Sequence, residues 1–219
     1  MRALGKPEVL KSACLASLLT SVLCFPWLAL AQNRTRPIWY LEAVLLLGGI
    51  VLWAFVFAWH TKYTGRPVFT WRVGPRLFAG ATALGILTAV ALRLWLDPAL
   101  RARTPQDYPV TPEQWLARAL FSLAFAQLVL VFAPFAWLMR LIRRESPAVL
   151  LTVIFGIYVL VAKNESSGHP LPHWLYLGLL LTRVGVGFVS VYCFLRGGVL
   201  LTWWWALLLE CRNLFDVFR

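Results

Sequence analysis

The chain has 219 residues, of which 60% are hydrophobic and 14% are charged, and its formal net charge is +12. A soluble domain is about half apolar and about a quarter charged, so this composition excludes an ordinary soluble domain. The basic residues lie mostly between apolar runs, where they act as topology signals and contact anionic lipid headgroups. We therefore predict a polytopic membrane protein that contacts membrane lipids and has no nucleic-acid partner.

The first apolar segment, residues 13–31, follows three basic residues and is long enough to span a membrane. It ends in LALAQN, in which Ala29 and Ala31 resemble a signal-peptidase site. The run is long for a signal peptide and contains Pro26. We therefore predict a retained helix, and cleavage after this segment is the alternative.

Six further apolar runs follow the first one along the chain. They cover residues 38–59, 77–96, 115–139, 148–162, 174–195 and 199–210. A membrane-spanning helix needs about 20 apolar residues, so the fifth and seventh spans are short and are expected to be tilted, half-buried or partly re-entrant. The pattern predicts an all-α polytopic membrane protein, a bundle of six or seven transmembrane helices that forms one membrane domain over residues 1–219, with no soluble domain.

The polar connections carry capping and orientation signals. The longest connection, residues 97–114, ends in TPEQ, which predicts Thr111 as a helix N-cap with Pro112 at the first helical position. With seven spans, eleven loop lysines and arginines lie on the N-terminal side and seven on the other side. This difference predicts a cytoplasmic N-terminus, and we expect an integral protein of a bacterial inner membrane.

The cysteines and histidines of the chain suggest no metal or redox chemistry. Four cysteines lie in or beside apolar runs without a CxxC pair or metal-ligand spacing, so we expect neither a disulfide framework nor a metal site or cofactor. The histidines occur at predicted span ends or in loops, where a solvated or interfacial role is expected. They are His60, His169 and His173.

Charged side chains inside apolar spans are the best functional pointers, because each costs roughly 2.5–3.5 kcal/mol at a helix centre. Arg93 and Arg118 lie near span ends, where their side chains reach the headgroups. Arg183 lies near the middle of the sixth span and requires an acidic or carbonyl partner inside the bundle. The candidate acidic partners are Glu42 in the second span and Glu210 in the seventh.

The last predicted helix presents two polar faces. Glu210 shares one face with Asn213, three residues on, whereas Arg212 points elsewhere and is spaced to pair with Asp216. Two interpretations stay open, namely a structural ion pair between an arginine and a glutamate, or a site that faces a ligand or substrate. The intramembrane polar site would comprise Arg183, Glu210, Glu42 and Asn213.

The second half of the chain, about residues 115–218, resembles the CAAX-protease and bacteriocin-processing (CPBP) family of intramembrane proteases. Three consecutive stretches carry the resemblance, namely FAPFAWLMRLIRR, LTVIFGIY and RVGVGFVSVYCFLRGGVLLTWWWALLLECRN. The resemblance implies a scaffold for hydrolysis of a peptide bond within the membrane, in which two adjacent glutamates and two histidines activate a water.

Most of the catalytic residues implied by the resemblance are missing. The glutamate pair would fall close to residues 135–138, where no acid occurs, and the first histidine would fall at Val159. The second histidine position holds Glu210. The other two motif positions, an arginine and an asparagine, correspond to Arg140 or Arg143 and to Asn213.

Three functions are compatible with this pattern. We favour a non-catalytic relative that acts as a binding or accessory subunit and has another membrane protein as its partner. The first alternative is an active intramembrane peptidase with a rearranged site, in which Glu210 is the base and Asn213 or Arg183 stabilises an oxyanion. The second is a small transporter or lipid-binding protein, whose polar path is lined by Glu42, Arg183 and Glu210.

Overall fold

The protein is an all-α polytopic membrane protein. A computed structural model describes residues 4, 6–30, 36–166 and 171–218, apart from the side chains of Gln106, Ser166 and Asp216. In those ranges six helices are long and apolar enough to cross a membrane, and the β-structure consists of one isolated pairing between Phe69 and Gly198. This architecture confirms the fold class that the hydropathy pattern predicts.

Seven long helical segments form the bundle in the described part of the chain. The first five are α1 (Pro7–Leu30), α2 (Ile38–Thr64), α3 (Pro75–Trp95), α4 (Pro112–Ile142) and α5 (Glu145–Ser166). The helix His173–Cys211 is broken at Gly198, and we refer to residues 173–197 as α6 and to residues 199–211 as α7. Short helical segments also occur at Asp97–Arg101, Pro105–Asp107 and Leu214–Val217.

The chain reverses direction at Gly198. Its φ of 67° and ψ of −163° are non-helical. The indole nitrogen of Trp205 in α7 donates a hydrogen bond of 3.1 Å to the hydroxyl of Ser190 in α6. In an unbroken helix these residues would be about 22 Å apart, so α6 and α7 form an antiparallel hairpin. The predicted division between a sixth and a seventh apolar segment is therefore confirmed.

Gly198 packs against the connection between α2 and α3. The amide of Val199 donates to the carbonyl oxygen of Val68 at 2.9 Å. A Cβ atom on Gly198 would lie 2.5 Å from that oxygen. Nearby, Arg66 forms a 3.4 Å ion pair with Glu145 at the start of α5. We call this part of the bundle the Gly198 end.

The lengths of the fifth and seventh helices differ from each other. The fifth helix covers Glu145–Ser166, so the prediction of a short fifth span was wrong. The polar residues that flank its apolar run continue the helix instead of ending it. By contrast, α7 rises only about 20 Å, which is less than the roughly 30 Å of a bilayer core.

The helix α1 packs on α2 through small side chains. Ser17 donates to the carbonyl oxygen of Leu46 at 2.7 Å, and the indole nitrogen of Trp53 donates to the Thr20 hydroxyl at 2.9 Å. Small residues allow close approach between helices in a membrane, where the hydrophobic driving force between them is weak. Retention of α1 stays a prediction, because Ala31 of the possible cleavage motif lies outside the described residues.

The N-terminus of α4 has the cap that its sequence predicts. The amide of Gln114 donates to the Thr111 hydroxyl at 3.3 Å, and Pro112 occupies the first turn. The Gln114 side chain accepts a 2.9 Å hydrogen bond from the amide of Val110. The first bond satisfies a backbone donor that the first helical turn leaves without a partner, and the second satisfies the amide of Val110 just before the helix.

Candidate functional site

Polar side chains from four segments meet at the end of the bundle opposite Gly198. They come from the end of α3 and the connection after it, from the first turns of α4, and from the end of α7. We call this group the Asp97 cluster, and it consists of Asp97, Tyr108, Arg118, Glu210, Arg212 and Asn213.

Glu210 is held by two neighbours within this cluster. Its carboxylate lies 3.7 Å from Nε of Arg118 and accepts a 3.3 Å hydrogen bond from the side-chain nitrogen Nδ2 of Asn213. Asn213 is fully buried. The contact with Asn213 confirms their predicted common face. Arg118 lies near the start of α4, as predicted, and its partly exposed side chain forms an ion pair with Glu210 that the sequence did not predict.

Asp97 is the buried acid of the cluster that the sequence analysis missed. Its carboxylate accepts hydrogen bonds from Nε of Arg212 and from the Tyr108 hydroxyl, both at 3.1 Å. Arg212 was instead expected to pair with Asp216, whose side chain lies outside the described residues. The sequence did carry one signal, an aspartate placed directly after the apolar run of α3.

Tyr108 provides a test of this cluster by titration. Burial, together with the neighbouring Asp97 carboxylate that accepts its hydrogen bond, raises the pKa of Tyr108 well above its ordinary value of 10.0. Above pH 10.0 the unfolded chain releases the Tyr108 proton while the folded protein keeps it. We therefore expect Tyr108 to lower the free energy of unfolding only as the pH rises beyond 10.0. Tyrosinate absorbance of the wild type and of Tyr108→Phe should coincide at pH 10–11, whereas an earlier rise in the wild type would contradict the burial of this hydroxyl.

Arg183 lies in a separate polar region in the middle of the bundle. Its Nε donates a 3.3 Å hydrogen bond to the carbonyl oxygen of Gly156, and its guanidinium lies directly against that glycine. A small cavity of about 30 Å³ beside it is also lined by Gln127, Thr152 and Ser190. A volume of about 10–15 Å³ holds one water, so the cavity has room for about two or three.

Gln127 shows that this region departs from regular helix geometry. It lies between two wide π-helical turns of α4, Ser122–Ala126 and Leu128–Phe132. Its side-chain oxygen is buried without a hydrogen-bond partner among the described residues. Turns of this type occur frequently at functional sites. The cavity is therefore a polar, hydratable region next to Arg183.

The structure does not bring the four predicted polar residues into one site. Glu210 and Asn213 are in contact, but Arg183 is bound to a carbonyl and, among the described residues, forms no ion pair with either glutamate. One carboxylate oxygen of Glu42 accepts a 2.7 Å hydrogen bond from Ser21 of α1, and the other is buried without a partner in the described residues. The expected ion pair between Arg183 and a glutamate is therefore replaced by the carbonyl contact.

His60 is buried, so the expectation of a solvated histidine was wrong. The helix α2 continues past the predicted span end to Thr64, which places His60 inside the helix and not at its end. Its ring lies 4.4 Å from the ring of Phe194 and 6.1 Å from that of Phe135. Neither ring nitrogen has a hydrogen-bond partner among the described residues. Of the other histidines, His173 is exposed as expected, and His169 lies outside the described residues.

The positions singled out by the CPBP resemblance lie far apart along the bundle. Phe135, where the glutamate pair would begin, contacts His60, whereas Glu210 pairs with Arg118. Phe135 and Arg118 lie about 25 Å apart along α4. The two motif arginines are accounted for by the fold. The guanidinium of Arg140 lies 4.4 Å from the centre of the Trp59 ring, and Arg143 ends α4 with a φ of 56°.

Comparisons with known proteins identify no relative. No family model, no curated protein and no solved structure matches this chain. Within the described ranges, no three histidine, cysteine or acidic side chains are grouped so that they could hold a metal ion.

Proposed function

We propose that this integral membrane protein acts by binding, as a non-catalytic accessory subunit of a complex with another membrane protein. In this proposal its second half is a CPBP-like scaffold, its N-terminus is cytoplasmic and its location is a bacterial inner membrane. One observation carries the proposal. Arg183 lies in the middle of a membrane-spanning helix, and its described hydrogen bond is to a carbonyl oxygen and not to a carboxylate.

The position of Arg183 favours a partner helix. It lies about 15 Å along α6 from the start of that helix, which is close to the centre of a bilayer core of about 30 Å. A carbonyl oxygen does not neutralise its charge, and no described carboxylate lies within ion-pairing distance of it. The Arg183 side chain is only half-buried, so part of it is accessible to a neighbouring helix. A transmembrane helix with an aspartate or glutamate at this depth would compensate the charge.

The surroundings of Glu210 support binding over hydrolysis. A general base must be free to take a proton from water, but the Glu210 carboxylate is engaged by Arg118 at 3.7 Å and by Asn213 at 3.3 Å. It also lies at the far end of α4 from Phe135, where the resemblance would place the glutamate pair.

Capture of the partner tests this function. The tagged protein is extracted gently from its native membrane, and co-purifying chains are weighed by native mass spectrometry and sequenced to their ends. We expect one intact membrane protein at fixed stoichiometry. Arg183→Gln should reduce its recovery at least tenfold, because the partner's acid is then left unpaired in the membrane.

Arg196→Gln is the matched control, because it removes an exposed arginine from the same helix. We expect this variant to keep the partner at wild-type levels. Equal recovery with Arg183→Gln and the wild type would overturn the role of Arg183. A partner cut at one membrane-proximal bond, and left intact by Glu210→Gln, would instead establish the peptidase alternative.

A further inference from the structure

A second binding region opens beside the Asp97 cluster. It is a cleft of about 260 Å³ between α4, α5, α6 and the connection that follows α3. Three basic side chains line it, namely Arg118 on α4, Lys163 on α5 and Arg212, which directly follows α7. Asp107 is the acid in its lining, so the cleft surface has an excess of positive charge.

The ion pairs of the cleft hold the two arginines in place without using all their donors. Asp97 and Glu210 lie outside the cleft lining, so they bind Arg212 and Arg118 from behind. The described bonds of Arg212 use Nε and one Nη, whereas a guanidinium has five N–H donors. Lys163 pairs with Asp107 at 3.8 Å, and both side chains are largely exposed. Such a pair is weak, so an incoming anion is able to displace Asp107 from Lys163.

Apart from a threonine and an asparagine, the rest of the cleft lining is apolar or aromatic. Leu160 on α5 and Leu179 on α6 line the cleft together with two tyrosines, Tyr108 and Tyr176. Tyrosine is enriched at membrane interfaces, where its ring contacts acyl chains and its hydroxyl contacts headgroups. Small-molecule pockets usually exceed about 300 Å³, so this cleft matches a headgroup with the first part of its chains and not a whole lipid.

We infer that the cleft binds the headgroup of an anionic phospholipid, with the phosphate against Arg118, Lys163 and Arg212 and the acyl chains leaving between Leu160 and Leu179. A helix N-terminus favours negative charge, and α6 begins at His173, two residues after the cleft-lining Leu171. The site is separate from Arg183 and does not depend on the proposed partner.

Lipid titration tests the site. The intact protein in detergent is titrated with short-chain phosphatidylglycerol or phosphatidylcholine, and bound lipid is counted by native mass spectrometry. We expect the anionic lipid to bind in preference to the zwitterionic one. Lys163→Gln should weaken phosphatidylglycerol binding about fivefold, because it removes one of the three cations that contact the phosphate. Leu179→Trp should fill the cleft and abolish the preference.

Lys11→Gln is the matched control, because it removes an exposed lysine of α1 that does not line the cleft, and screening of such a distant charge should keep the change in binding below about twofold. Equal losses in Lys163→Gln and Lys11→Gln would show general attraction by the basic surface and overturn the site. Equal binding of the two lipids would overturn it as well. Displacement of the lipid by millimolar glycerol phosphate would identify a site for soluble phosphate and contradict binding of a lipid.

Discussion

Replacing Gly198 with alanine is expected to be among the most destabilising single changes in the protein. A φ of 67° with a ψ of −163° is essentially open only to glycine, and its strain costs about 1–3 kcal/mol in other residues. The new Cβ would also lie 2.5 Å from the Val68 carbonyl oxygen, which accepts the Val199 hydrogen bond. Thermal unfolding of the purified protein in detergent, followed by tryptophan fluorescence, should show a large drop in midpoint.

Gly185→Ala is the matched control for this change. Gly185 lies within α6, a Cβ atom at this position would meet no neighbouring segment within 4 Å, and its φ is not positive. Alanine is favoured over glycine in helices by about 1 kcal/mol, so this variant should unfold at the same temperature or higher. If Gly198→Ala is as stable as Gly185→Ala, the chain does not reverse at Gly198 and the hairpin of α6 and α7 is wrong.

Replacing Asp97 with asparagine is the second change with a large expected effect. The Asp97 side chain is 4% exposed and its partner Arg212 is 16% exposed, so the variant leaves a nearly buried guanidinium without its counter-charge. Breaking a buried ion pair on one side costs about 3–5 kcal/mol. We expect the free energy of unfolding, measured by denaturant titration in mixed micelles, to fall by about this amount.

Two further variants separate this ion pair from a general loss of charge. Glu145→Gln removes the partner of Arg66 in a pair whose side chains are 44% and 34% exposed, and such pairs contribute about 0–1 kcal/mol. The double variant Asp97→Asn/Arg212→Met should recover part of the lost stability, because it also removes the unpaired cation. If Asp97→Asn costs no more than Glu145→Gln, the pair between Asp97 and Arg212 is not a buried, stabilising ion pair.

The relation between the two proposals is also open to experiment. The partner interface depends on Arg183 in the middle of α6, whereas the lipid cleft depends on Lys163 and its neighbours at the end of the bundle. We expect Arg183→Gln to leave the lipid preference unchanged and Lys163→Gln to leave the partner bound. The failure of one proposal would therefore leave the other standing.

Local patterns in the sequence were enough to predict the class of protein and several details of its structure. Hydropathy predicts the membrane spans and the division between α6 and α7, because apolar length is a property of each segment alone. The Thr111 cap and the contact of Glu210 with Asn213 were predictable too, since both lie within one turn of a helix. The end of α2 was missed, because its helix continues beyond the apolar run and carries His60 into the core.

The partners of the buried charges were decided by the tertiary structure. Asp97 and Arg212 are 115 positions apart along the chain, and Arg183 and Gly156 are 27 positions apart on neighbouring helices. Spacing along one helix suggested Asp216 for Arg212, but the packing of α7 beside the end of α3 brings Asp97 within 3.1 Å. An intramembrane charge takes whichever partner the assembled bundle brings within reach, because lipid offers no water to satisfy it. The sequence therefore identified Arg183 and Glu210 as side chains that needed partners, whereas helix packing determined which partners they received and made Asp97 a buried charge as well.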